Sequence, residues 1–130
     1  MPKGVADLSE IEKLDNYTDD ELHNYFAKLL GFEKYEEDSR DKDTKNMMLT
    51  AKLTARDLKK GKFLDKPPEE SHKEVPMGSL TRTNHRLVEK IKELSYKGSE
   101  LSLYKTTAYS TVGESEEKYD YMVFMDLVKK

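Results

Sequence analysis

The chain has 130 residues, 38% of them charged and 35% hydrophobic, with no cysteine, no tryptophan and a formal net charge of −3. That length suits a single domain over residues 1–130, and an apolar share below the roughly 45–50% of typical globular chains argues against a large, deep core. The absence of cysteine excludes disulfides, a thiolate nucleophile, thiolate-bound zinc and iron–sulfur clusters.

The start, Met1-Pro2-Lys3-Gly4-Val5-Ala6-Asp7, has neither the apolar stretch of a secretory signal nor the Arg-rich character of a transit peptide. No apolar run approaches the ~18–20 residues of a membrane span. An intracellular chain, cytoplasmic or nuclear, is expected. The small net charge hides a segregation: residues 1–43 hold 13 acids against 6 bases, whereas residues 44–66 hold 7 bases against 2 acids. Such segments either attract each other within the fold or face different partners.

In chain order, a short helix starting at Asp7 or Ser9 is expected to carry Leu8, Ile11 and Leu14. The spacing then predicts a helix over residues 18–30, with Thr18 as N-cap, Asp19, Asp20 and Glu21 at the positive end of its dipole, and Gly31 as its stop. Leu22, Tyr25, Phe26, Leu29 and Leu30 form its apolar stripe. Residues 33–43 contain one aromatic and no aliphatic side chain and read as an exposed connection. A second helix is predicted from Thr44 to Lys60, closed by Gly61, with Met47, Met48, Ala51, Ala55 and Leu58 on its apolar face. Its polar side is basic through Lys52, Arg56, Lys59 and Lys60, with Lys62 just beyond.

Pro67-Pro68 makes residues 65–74 read as an extended, exposed linker. A third helix is expected to start near Thr81 or Thr83 and end near Leu94 or Ser95, on the stripe of Leu87, Val88, Ile91 and Leu94. Residues 99–130 are rich in Thr and Tyr. They are compatible with a β-hairpin turning over residues 113–118, or with a fourth helix capped by Ser115. The expected class is therefore mainly α: a small helical domain of about three helices with a Tyr-rich C-terminal segment, becoming α+β if that segment is a hairpin.

Little in the chain reads as catalytic. His23, His72 and His85 share no metal-binding spacing and are expected as surface or capping residues, and no glycine-rich phosphate loop or nucleophile elbow is present. Acid pairs such as Glu36-Glu37 and Glu116-Glu117 lack the burial that tunes a general acid. No catalytic residue, metal or cofactor is assigned. Five of the eight tyrosines lie in the last 35 residues. With an apolar body and a polar tip they suit a protein interface, which makes residues 99–130 a candidate docking segment.

Two stretches resemble the halves of a LEM domain, the helix–loop–helix module of nuclear-envelope proteins such as emerin. Asp15-Asn16-Tyr17-Thr18-Asp19-Asp20-Glu21-Leu22 is similar to the family's Ser/Thr-Asp-x-Glu-Leu helix start. Val75-Pro76-Met77-Gly78-Ser79-Leu80, followed by Thr83, Arg86-Leu87 and Glu89-Lys90, is similar to its Gly-Pro-Ile turn and second helix. More than 40 residues separate the halves here, and Ser79 and Val88 stand where the family has Pro and Tyr. The resemblance implies contact with a small DNA-bridging protein.

The expected function is a non-catalytic interaction subunit or adaptor of a larger intracellular assembly, docking through Lys52, Arg56, Lys59, Lys60 and Lys62 and through Tyr104, Tyr109, Tyr119 and Tyr121. The alternative is a LEM-like nucleic-acid or chromatin-associated helical module that uses Arg82, Asn84, His85 and Arg86 at the start of the third helix.

Overall fold

The computed structural model describes residues 11–113 and 120–130. In chain order it contains β1 (Ile11–Lys13), α1 (Asp19–Leu29), α2 (Lys42–Lys60), β2 (Ser71–Met77), β3 (Leu80–Tyr96), β4 (Ser99–Val112) and β5 (Asp120–Lys129). A mainly α, helical, three-helix domain is thus overturned: the protein is mainly β, with two helices and a five-stranded mixed sheet among the described residues.

Local chemistry forms both helices. Thr18 closes a capping box on α1: its hydroxyl accepts from the Glu21 N–H at 3.2 Å, and the Glu21 carboxylate accepts from the Thr18 N–H at 3.0 Å. In α2 the cap is Asp41 rather than Thr44. The Asp41 carboxylate accepts from both the N–H (3.0 Å) and the hydroxyl (2.7 Å) of Thr44, so the helix starts at Lys42. Gly61, left-handed at φ 69°, stops it.

The residues expected as a third helix form β3, the central strand. They pair antiparallel with all of β4, and β4 pairs antiparallel with β5, so the C-terminal third takes the hairpin form. The expected turn at 113–118 and a Ser115 cap lie outside the described residues, apart from Gly113. Residues 71–74 of the expected linker are part of β2, which pairs with β3 from Leu80 to Arg86. On the same edge of β3, β1 pairs in parallel with Glu93, Leu94 and Ser95, so residues 11–13 are a strand where a helix was expected. Asp7, Leu8 and Ser9 lie outside the described residues.

Strand alternation gives the sheet an inner and an outer face. Leu94, Tyr96, Leu101, Leu103, Met125 and Leu127 are inner and join Leu14, Leu22, Phe26, Ala27, Met48, Ala51, Ala55 and Leu58 in one core. Helix α2 runs beside β5. The Thr50 hydroxyl donates to the Val123 carbonyl at 2.9 Å, and beyond the helix the Leu64 N–H donates to the Leu127 carbonyl at 2.8 Å. Full burial of a leucine stabilises by about 1.5–3 kcal/mol, so the helix-covered half of the sheet carries most of the stability. The far half, made of β2 and the strand ends beside it, leaves Leu80 and Leu87 about half exposed, and in β2 only Val75 is partly buried.

Candidate functional site

The acidic front and the basic middle of the chain meet between the helices. Lys52 pairs with Glu37 at 2.7 Å, and Lys59 pairs with Asp19. Each hydrogen bond, reinforced by the charge behind it, holds its carboxyl below the ordinary range and its ammonium above it. All four side chains are substantially exposed, so these pairs orient the lysines more than they stabilise the fold.

These lysines rim a groove of 570 Å³ along the outward side of α2, lined by Asp19, His23, Leu49, Lys52, Leu53, Ala55, Arg56, Lys59 and Lys60. A smaller hollow of 250 Å³ adjoins it through Leu49 and Lys52 and reaches Tyr35, whose ring lies against that of His23 with centroids 4.9 Å apart. Leu49 is 53% exposed on the floor of the groove. A leucine left in water between cations is the feature that a reading of the apolar stripe passes over: at 100° per residue Leu49 and Leu53 fall opposite the buried face of α2, beside Arg56 and Lys60, and Asp19 and His23 of α1 complete the groove around them.

Four of the five expected basic residues, Lys52, Arg56, Lys59 and Lys60, share this groove. Lys62 does not; beyond the Gly61 turn it lines a separate cavity of 370 Å³ with Asp57, Phe63, Leu64 and Asp126. Burial raises the Asp126 carboxyl above its ordinary value, the nearby Asp57 adds to this, and Arg86 opposes it.

The expected tyrosine surface does not come together. Tyr104 is on the outer face of the sheet, Tyr109 and Tyr121 are on the inner face as register partners, and Tyr119 lies outside the described residues. Burial, and then the Asp43 carboxylate at the start of α2, push the Tyr121 hydroxyl up. The residues of the nucleic-acid alternative are likewise divided by the alternation of β3. Arg82, Asn84 and Arg86 face outward, Asn84 accepting from the Ser110 hydroxyl at 2.7 Å, whereas His85 faces inward against Tyr109. The second half of the LEM resemblance falls on the β2–β3 hairpin.

Among the described residues no group of three or more His, Asp or Glu side chains is arranged to hold a metal ion, and no helix is long and apolar enough to cross a membrane. The fold and groove define a class: a two-layer chain in which two helices cover part of a mixed sheet and present an apolar groove with a cationic rim. Comparison with known proteins goes no further, since no family model, curated protein or solved structure matches the chain.

Proposed function

We propose that the protein is a non-catalytic interaction subunit whose α1–α2 groove receives an acidic amphipathic segment of a partner protein. The observation that carries this reading is Leu49, half exposed on the groove floor and flanked by Lys52, Arg56, Lys59 and Lys60. An amphipathic helix laid in such a groove places apolar side chains at i, i+3 or i+4 on the floor and acids on the rim. Apolar burial then supplies affinity, and the opposite charge speeds encounter and fixes orientation. Asp19 and Glu37 already occupy Lys59 and Lys52, whereas Arg56 meets only its neighbour Asp57, at 3.9 Å, so among the described residues Arg56 and Lys60 are the cations a partner would engage first.

Selection from a random peptide-display library tests this. Peptides that bind the native chain are expected to be rich in Asp and Glu, with Leu or Phe at helical spacing. They should bind at least about tenfold more weakly, equivalent to about 1.4 kcal/mol, to a chain carrying Leu49→Asp, Arg56→Glu and Lys60→Glu. All three positions are exposed, so circular dichroism should show the fold retained. Selected peptides without acidic character, or with equal affinity for the variant, would remove the groove from the reading.

A further inference from the structure

We propose that His72 and His85 form a binding site for a divalent first-row transition ion such as Zn²⁺, Cu²⁺ or Ni²⁺. The two histidines stand directly opposite each other on β2 and β3, so both side chains project from the inner face of the sheet, in the half beyond the buried core. Their ring centroids are 4.9 Å apart. Two imidazoles that share an ion at about 2.0–2.1 Å from nitrogen have ring centres about 3.2 Å from it, and a bond angle near 100° at the metal then separates the centres by about 5 Å. The pair therefore already has the centroid spacing of a chelate, with 67° between the ring planes.

The surroundings hold one ring in place and leave the other accessible. His85 lies nearly parallel on Tyr109, centroids 4.6 Å apart with 14° between the planes, and one of its ring nitrogens is 3.4 Å from the Thr111 hydroxyl. That contact gives the ring an outer partner of the kind that orients metal-bound histidines, and it leaves the second nitrogen for an ion. His72 is exposed, so an ion reaches the pair from solvent. Imidazole nitrogen favours Zn²⁺, Cu²⁺ and Ni²⁺ over Mg²⁺ and Ca²⁺, which take oxygen ligands. With two protein ligands, the remaining positions go to water, so the ion is exchangeable rather than structural.

The experiment uses the full chain without any affinity tag. Calorimetric titration with Zn²⁺ at neutral pH should show one ion per chain, and substoichiometric Cu²⁺ should broaden the imidazole proton resonances of His72 and His85. His72→Asn and His85→Asn should each weaken Zn²⁺ binding by about tenfold or more. His23→Asn, which changes a ring packed on Tyr35 beside α1, should leave it unchanged. Because His72 is exposed at the sheet margin, His72→Asn decides the matter even if His85→Asn fails to fold. Absence of Zn²⁺ uptake by the native chain, or uptake of equal strength after His72→Asn, would overturn the proposal.

Discussion

Glu93 and Asp126 share the outer face of the sheet, yet acid acts on them in opposite directions. Burial alone would raise Glu93, but bonds from Lys90, Lys130 and Ser102 outweigh it and hold the carboxyl below its ordinary value. Its ionised form is favoured by the fold, so its contribution is complete above about pH 4.3, the unfolded value, and is lost as pH falls through the lower folded value. Asp126 has no comparable partner among the described residues: burial and Asp57 raise it, and Arg86 only partly compensates. Its charge therefore weakens the fold at neutral pH. That penalty fades as pH falls through the raised folded value and is gone below the unfolded value of about 3.9. Asp126→Asn is accordingly expected to raise the thermal midpoint at pH 7, with the advantage shrinking on acidification. Melting curves across pH check this, and an unchanged or lowered midpoint at pH 7 would mean that the carboxylate is better solvated than its surroundings indicate.

Strand β3 shows why a helix can be read where a strand forms. Leu87 and Leu94 are seven residues apart, two turns of a helix, and a regular strand would put them on opposite faces. A register shift between Lys90 and Lys92 adds one residue, and that extra residue returns both leucines to the inner face. The bulge thus imitates helical spacing, while Val88 points outward and gives no local sign of it. The partners that make the segment a strand come from β2 and β4, which no window along β3 contains. Helices α1 and α2 were legible because caps and stops are local, although α2 is capped by Asp41 and not Thr44, and the groove was only half legible because its cations and Leu49 share a helix face while its other wall, Asp19 and His23, comes from α1. Turn chemistry was also readable but undervalued: Tyr96 pairs with Ser99 across Lys97-Gly98, both at positive φ (47° and 82°). A Cβ on Gly98 would meet no atom within 4 Å, so Gly98→Ala isolates the backbone cost. It should destabilise the chain by about 1–2 kcal/mol, measurable by urea unfolding; a neutral result would show that the hairpin adopts another turn at no cost.

At the scale of the molecule, the segregated charges and the uneven core have one consequence, a protein organised from one end. The −7 and +5 segments fold onto each other through Asp19–Lys59 and Glu37–Lys52, so the basic helix face is partly neutralised. The buried leucines Leu14, Leu22, Leu58, Leu94, Leu101, Leu103 and Leu127 all lie under or between the helices and the near half of the sheet. Among the described residues, strand β2 is held by its pairing with β3, the His72–His85 ring contact and one half-buried valine. Exchange of a backbone amide proceeds by the cheapest opening that exposes it, and poorly buried segments open without global unfolding. Amides at Leu94, Leu101 and Leu103 should therefore exchange with the free energy of global unfolding, whereas the β2 amides bonded to β3 should exchange roughly a hundredfold faster or more. Native-state hydrogen exchange followed by NMR measures both sets in one sample. Equal protection of the two sets would mean that the sheet opens as a unit and that the far half is stabilised by more than the pairing and burial described. If Zn²⁺ bridges His72 and His85, its addition should slow exchange in β2 selectively, because an ion held by both strands has to be released before they part.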